Sequence, residues 1–223
     1  MKRIAIALGV IIGILVIAKM LGIVVNYTIP TSSNEPTIET NSHIITTSLK
    51  KPKVGQFAAF HPPLPGIPNE KQIYIKRLCG LGGDKIEMKN AVFYLNGKNF
   101  DAELELQHSF IVDDQTYISI NKKNPITDFN KIADNLYQIN ITDKTALAFG
   151  VEAKKDVQTA PRNEPPVFVD FDTDGAWTRD NFGPITIPVG QTFFLGDNPH
   201  YSYDCRYFSF VPEDDIKGVV LGY

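Results

Sequence analysis

The groups in this chain best suited to breaking an acyl bond are a cluster of hydroxyls, in Ile29-Pro30-Thr31-Ser32-Ser33-Asn34-Glu35-Pro36-Thr37, and a lysine, in Tyr74-Ile75-Lys76-Arg77-Leu78. Proline removes backbone freedom, so a hydroxyl-rich turn between two prolines can hold a nucleophile at a fixed angle. An exposed linker has the same composition. Hydrolysis by a serine also needs a base for the hydroxyl proton and donors for the tetrahedral oxyanion. The histidines are His43, His61, His108 and His200, and none has a GxSxG-type setting. His61 sits in a proline turn, His108 stands without an evident partner, and His200, beside Ser202, is the histidine nearest a serine-rich loop. Lysine is the alternative base if its amine is largely neutral, which requires its pKa to fall from about 10.4 through burial. Tyr74, Ile75, Leu78 and Leu81 around Lys76 could supply that burial, although a strand lysine ordinarily faces water. Neighbouring strand residues face opposite sides, so Lys76 and Arg77 are expected to point one inward and one outward.

The elements that must position these groups read as mainly β. Val54 to Phe60 and Gln72 to Leu78 have the texture of strands. Between them, the proline-rich 61–68 must be a surface turn. Residues 85–98 read as a hairpin with Ala91 to Leu95 as one arm and Asn96-Gly97 as the turn. From 101 to 178 the texture changes. Asp128 to Ile139 and Asp143 to Val157 have the spacing of amphipathic helices, and the stretch reads as an α+β insertion ended by the turn-rich 159–166. Strand texture resumes at Trp177 to Phe182 and continues through Gln191 to Leu195, with a last strand at Gly218 to Tyr223.

Ahead of this body, Met1-Lys2-Arg3 leads into Ile4 through Val25, apolar except for Lys19 and about the ~20 residues that a helix needs to cross a bilayer core. A lysine near one end can carry its amine to the interface. A cleavable signal peptide is the rival, but no small-x-small cleavage site follows the run, so one retained transmembrane helix is the expectation. Lys2 and Arg3 would keep residues 1–3 in the cytoplasm and send the rest to the outer face. The implied organisation is a tip at 1–3, an anchor at 4–25, a β domain made of 26–100 and 179–223, and an inserted subdomain at 101–178. A chain of 223 residues suits one such domain plus an insertion. The net charge of -3 and the absence of a basic, aromatic-interleaved patch argue against nucleic acid. Cys79 and Cys205 form no cluster of metal-ligand spacing, so no metal or cofactor is expected. Each cysteine lies three residues beyond a candidate site residue, Lys76 and Ser202, which leaves open a disulfide or two buried thiols.

Three ordered segments resemble the type I signal peptidases, membrane-bound serine proteases of family S26 that use a Ser-Lys pair. Pro30 to Thr37 resembles the family's P-S-x-S-M-x-P-T loop, Tyr74 to Asp84 its Y-I-K-R-x-x-G-x-P-G-D segment, and Gly196 to Arg206 its G-D-N-x-x-x-S-x-D-S-R segment. Asn181 to Pro184 is also similar, whereas 101–178 has no counterpart. The departures are Asn34 for methionine, Gly82 for proline and Cys205 for serine. The resemblance implies Ser33 as nucleophile, Lys76 as general base, and an oxyanion hole of the Ser33 N–H and the Thr31 hydroxyl. It further implies that Ser202 orients the lysine, with Asp204 and Arg206 as a supporting ion pair. Small pockets lined by Ile29, Ile38, Tyr74 and Ile75 would admit Ala-x-Ala preproteins bound as an added strand. The implied partners are signal peptides of exported preproteins and the lipid bilayer. The implied place is the bacterial cytoplasmic membrane, single-pass, with the catalytic domain on the outer face. Two other readings are an inactive membrane-anchored binding or assembly protein on the same fold and a dedicated pilin-type processing peptidase.

Overall fold

Small and aromatic residues in Phe57–Phe60 (β3) are buried at every position, the signature of a strand covered on both faces. In the computed structural model, which describes residues 4, 6, 13, 16–64, 72–160, 168, 171 and 175–223, β3 lies near the middle of a seven-stranded sheet. The other strands of that sheet are β1 (Val24–Thr28), β2 (His43–Thr47), β4 (Tyr74–Leu81), β12 (Gln191–Leu195), β13 (Val211–Pro212) and β14 (Ile216–Gly222). Its order is β1-β2-β14-β3-β4-β12-β13 and its pairings are antiparallel. A four-stranded sheet, β11-β5-β6-β7, is built from β5 (Lys85–Lys89), β6 (Val92–Leu95), β7 (Lys98–Asn99) and β11 (Phe182–Thr186). The Asn96-Gly97 turn between β6 and β7 takes φ values of 51° and 77°, the left-handed pair that this dipeptide adopts cheaply. Residues of both sheets meet in one core, in which Phe60 stacks on Phe194 at 4.2 Å and Phe93 on Phe193 at 5.5 Å. Gly80 of β4 faces that core, and a Cβ there would stand 2.5 Å from Ile187 Cδ1, so a side chain would have to displace the end of Ile187.

Beyond residue 100 the chain forms a third, three-stranded sheet, β8-β10-β9, from β8 (Gln107–Asp113), β9 (Phe129–Ala133) and β10 (Leu136–Thr142). Helices α1 (Asp114–Lys123) and α2 (Asp143–Phe149) pack on it around a separate core of Phe110, Val112, Ile120 and Ile139. The helix read from the spacing over Asp128 to Ile139 is instead the hairpin β9–β10, turning at Asp134-Asn135. Pairing to β8 captures the alternation of Tyr137, Ile139 and Ile141, which outweighs the helical spacing. The helix expected from Asp143 stops at Phe149, because Gly150 takes a left-handed cap with φ 66°. The sequence reading passed over α1, whose start is fixed by the Asp113 carboxylate accepting the Thr116 N–H at 2.9 Å.

Of the segment expected to span the membrane, residues 5, 7–12, 14 and 15 lie outside the described residues. Val16 to Met20 is helical, the chain turns at Leu21-Gly22, and Val24 and Val25 already belong to β1. Among the described residues no helix is long and apolar enough to cross a membrane.

Candidate active site

The hydroxyl-rich loop connects β1 to β2. Its ends are tied where Ile29 N–H donates to Ser42 O at 3.0 Å and Asn41 N–H to Ile29 O at 2.7 Å. Within it, Ser32–Asn34 forms one 3₁₀ turn, closed by Glu35 N–H on Ser32 O at 3.0 Å. Asn34 supplies a second tie, since its Nδ2 donates to Ile75 O of β4 at 2.8 Å and so fixes the loop against the strand that carries Lys76. A third comes from the loop after β12, where Asn198 N–H reaches Ser33 O at 3.2 Å and Asn198 Nδ2 reaches Ser32 O at 3.1 Å.

Lys76 lies mid-strand in β4, opposite Ala58 of β3, and is 5% exposed. Its amine is hydrogen-bonded to Ser33 Oγ. Burial lowers the amine's pKa from 10.5 to about 8. The nearby Asp204 and Asp197 charges act against that lowering, and the Arg206 charge acts with it. Thr31 Oγ1 stands 3.2 Å from Ser33 Oγ on the other side. Arg77 was expected to face away from Lys76 and into water, yet it is also buried, at 6% exposure, because β4 has strands on both edges and cover on both faces. Its guanidinium donates through Nε to Asp197 Oδ1 at 2.8 Å and also pairs with Asp197 Oδ2.

Ser202 Oγ donates to Asp204 Oδ2 at 2.6 Å, so its hydroxyl engages the carboxylate whose charge acts on Lys76. Asp204 Oδ1 accepts from Arg206 Nε at 2.8 Å, and Arg206 also donates to Pro199 O at 2.7 Å, which braces the loop from within. Gly196 packs against both halves of the site. A Cβ there would lie 2.3 Å from Ser202 Oγ and 2.3 Å from Ser33 O.

A cleft of about 360 Å³ opens over the Ser33 and Lys76 side chains, with Ile29, Tyr74 and Ile75 on its walls. Ile38 is not on it. That side chain packs below, with Ile44, Phe57 and Val220. His200 holds its ring between Ser109 N–H, donating to Nδ1 at 3.3 Å, and Asp156 O, accepting at Nε2 at 2.7 Å. Burial drops its pKa to about 4, so it is a neutral structural link and not a base for Ser33. His108, read from sequence as partnerless, is buried against Asp143, with Nδ1 to Oδ1 at 2.9 Å. Cys79 and Cys205 are both free and buried, and burial pushes both thiols up. Sequence reasoning missed the Arg77–Asp197 pair, the Asn34 tie and the bracing by Asn198. Only Asn34, a polar residue where the resemblance has methionine, left a signal that could have led to one of them.

A buried amine lies on a serine hydroxyl at the floor of a cleft on an antiparallel β body, the arrangement that a serine nucleophile with a lysine base would need. The sequence comparison gives the family: residues 1–222 match the model of the signal peptidase family, peptidase S26, and the chain belongs to that family. A Synechocystis protein named as a probable signal peptidase I-2 is 24% identical over 195 residues, 85% of this chain and 58% of that protein's length. Signal peptidase IB of Staphylococcus aureus (strain Mu50) is 26% identical over 205 residues, 89% of this chain and 76% of its own length. The chain therefore spans a little over half of the first relative and about three quarters of the second. A solved signal peptidase I from Enterococcus faecalis V583 aligns at 26% identity over 77% of this chain and 98% of that one, with a TM-score of 0.36. The family assignment rests on the sequence match.

Proposed function

We propose that the chain is a serine endopeptidase that removes N-terminal signal peptides from preproteins, with Ser33 as nucleophile and Lys76 as general base. The observation that carries this reading is the hydrogen bond between the Lys76 amine and Ser33 Oγ under a cleft, with the amine's pKa lowered to about 8 by burial. Neutral Lys76 accepts the Ser33 proton as Oγ adds to the scissile carbonyl carbon. The resulting oxyanion takes hydrogen bonds from the Ser33 N–H and, after its hydroxyl turns toward the cleft, from Thr31. When the C–N bond breaks, the Lys76 ammonium returns its proton to the leaving amine and an acyl ester remains on Ser33. Lys76 then takes a proton from water, the hydroxide adds to the ester, and the same proton goes back to Ser33 Oγ as the product acid leaves. Ser202, Asp204 and Arg206 act on Lys76 through charge and through the loop they brace. No metal or cofactor enters a step.

The substrate in this reading lies extended in the cleft, with small residues at the first and third positions before the cut, against Ile29, Tyr74 and Ile75. The apolar residues ahead of β1 serve as a single membrane anchor that puts the β body, which begins with β1 at Val24, on the outer face of the cytoplasmic membrane, where preproteins emerge. Residues 101–178 form a subdomain set into that body. The test is cleavage of an Ala-x-Ala preprotein by detergent-solubilised protein, in which Ser33→Ala and Lys76→Ala should each abolish release of the signal peptide. Parental rates in either variant would overturn the reading.

A further inference from the structure

The loop Gly196 to Arg206, which braces Ser33 from behind, is held from outside by the third sheet and its flanking chain. Gln107 N–H of β8 donates to Asp197 O at 2.9 Å, and Asn140 Nδ2 of β10 meets Asn198 Oδ1 at 3.3 Å. Ser109 N–H and Asp156 O clamp the two ring nitrogens of His200. The last clamp reaches the cleft itself. Tyr201 and Tyr203 both line the cleft over Ser33. The Tyr201 hydroxyl leaves it to donate to Asp128 Oδ1 at 3.1 Å. Asp128 is held in turn by Asn140, whose N–H donates to Asp128 O at 3.1 Å and whose Nδ2 reaches Asp128 Oδ2 at 3.3 Å. Burial and the Asp128 carboxylate push the Tyr201 phenol up to about 12, so it remains a donor across the working pH range. Tyr203 is braced separately, by stacking on Tyr207 at 5.1 Å. The ring at 201 is thus a cleft wall whose outer end is fixed by a residue more than seventy positions away, just ahead of β9.

We propose that Tyr201 is a specificity-determining residue, which limits the size of one substrate side chain beside the scissile bond, and that Asp128 is the positioning residue that holds its ring in place. This rests on the reading above that the cleft over Ser33 receives the peptide. Asp128 and Asn140 then set the width of the cleft at a distance, so a change at either alters which peptides fit without touching Ser33 or Lys76. A hydrophobic pocket discriminates a few added methylenes by about tenfold or more when its wall cannot retreat. A wall pinned through a hydrogen bond retreats once the bond is removed.

The test uses the full chain in detergent and peptides with Ala at the first and third positions before the cut, in which each position from the third before to the second after is changed in turn to Leu. For every position the ratio of kcat/KM for the Leu and parent peptides is measured. Tyr201→Ala should raise that ratio about tenfold at one position and leave it near the parental value at the others. Asp128→Ala should shift the same position in the same direction, and Asp128→Asn, which keeps an acceptor oxygen, should stay near the parental ratio. In a Tyr201→Phe background, Asp128→Ala should add nothing. Equal losses for Leu and parent peptides at every position would reduce both residues to structural ones and overturn the inference. The Kd ratios of the same peptides on a Ser33→Ala background separate this from the proposed function. A parental chain that cuts none of them refutes the peptidase reading, yet a Kd ratio moved by Tyr201→Ala still supports the cleft wall, and an unmoved one still defeats it.

Discussion

Replacing Lys76 by methionine should destroy activity and stabilise the protein, and the balance between the two is set by how the amine is buried. Methionine is close to lysine in length and apolar, so Lys76→Met fills the same buried space beneath Ser33. With its pKa lowered from 10.5 to about 8, holding Lys76 as an ammonium below pH 8 costs about 3 kcal/mol. The variant forfeits the hydrogen bond to Ser33 Oγ, worth about 1 kcal/mol net. At pH 6 the variant should therefore be the more stable by about 2 kcal/mol, a rise in Tm of about 4–8 °C for a chain of this size. Between pH 8 and 10.5 the unfolded wild-type chain still holds this proton and the folded chain has released it, so wild-type stability rises with pH across that window. The variant's advantage should shrink over the same interval, vanish at about pH 9.5 and turn into a deficit of about 1 kcal/mol by pH 10.5. Calorimetric or fluorescence melts of both proteins at pH 6, 8 and 10 measure this. A variant that melts below the wild type at pH 6, or a difference that stays constant from pH 6 to 10, would refute the claim that burial is what lowers the amine's pKa.

In the wild type, kcat/KM for an Ala-x-Ala peptide should climb about tenfold from pH 7 to 9 with a midpoint near 8, because only about one amine in ten is neutral at pH 7. Thr31→Val, which removes the hydroxyl 3.2 Å from Ser33 Oγ, should lower kcat about 10²-fold with KM nearly unchanged, as steady-state kinetics would show. Gly196→Ala forces a methyl to within 2.3 Å of Ser202 Oγ and Ser33 O; it should cost about 1–3 kcal/mol in urea unfolding and most of the activity. Asp197→Asn weakens the pairing of the buried Arg77 guanidinium and should cost about 3 kcal/mol in the same assay.

Elements whose signal is local were legible in the sequence. The Asn96-Gly97 turn marks its hairpin because few other dipeptides accept two left-handed residues. The strands around Phe57 and Lys76 show themselves by β-branched and aromatic content. Segment 128–139 was misread because Phe129, Ile132, Leu136 and Ile139 recur at helical spacing, and only the distant partner β8 decides for a hairpin. The burial of Arg77 was hidden for a similar reason. Alternation along β4 says that its neighbours face opposite ways, but whether each face is covered depends on strands more than a hundred residues further on. Ile38 has the composition of a pocket wall, yet it lies a layer too deep.

The same dependence on distant partners explains how the Lys76 pKa can be lowered among carboxylates. Asp197 and Asp204 are each buried, and each draws the lysine toward its charged form. Left unpaired, two such anions would oppose much of what desolvation does to the amine. Asp197 is instead matched by Arg77, and Asp204 by Arg206, with the Arg206 charge itself lowering the Lys76 pKa. Both guanidiniums remain charged, with pKa values raised by their partners. The arginines thus hold the negative charge of the site in closed pairs and leave the amine to respond mainly to its burial. Weakening either pair while keeping its aspartate should raise the Lys76 pKa, so Arg77→Met or Arg206→Met should move the ascending limb of the pH profile to higher pH. A limb that stays near pH 8 in both variants would show that burial alone sets the base.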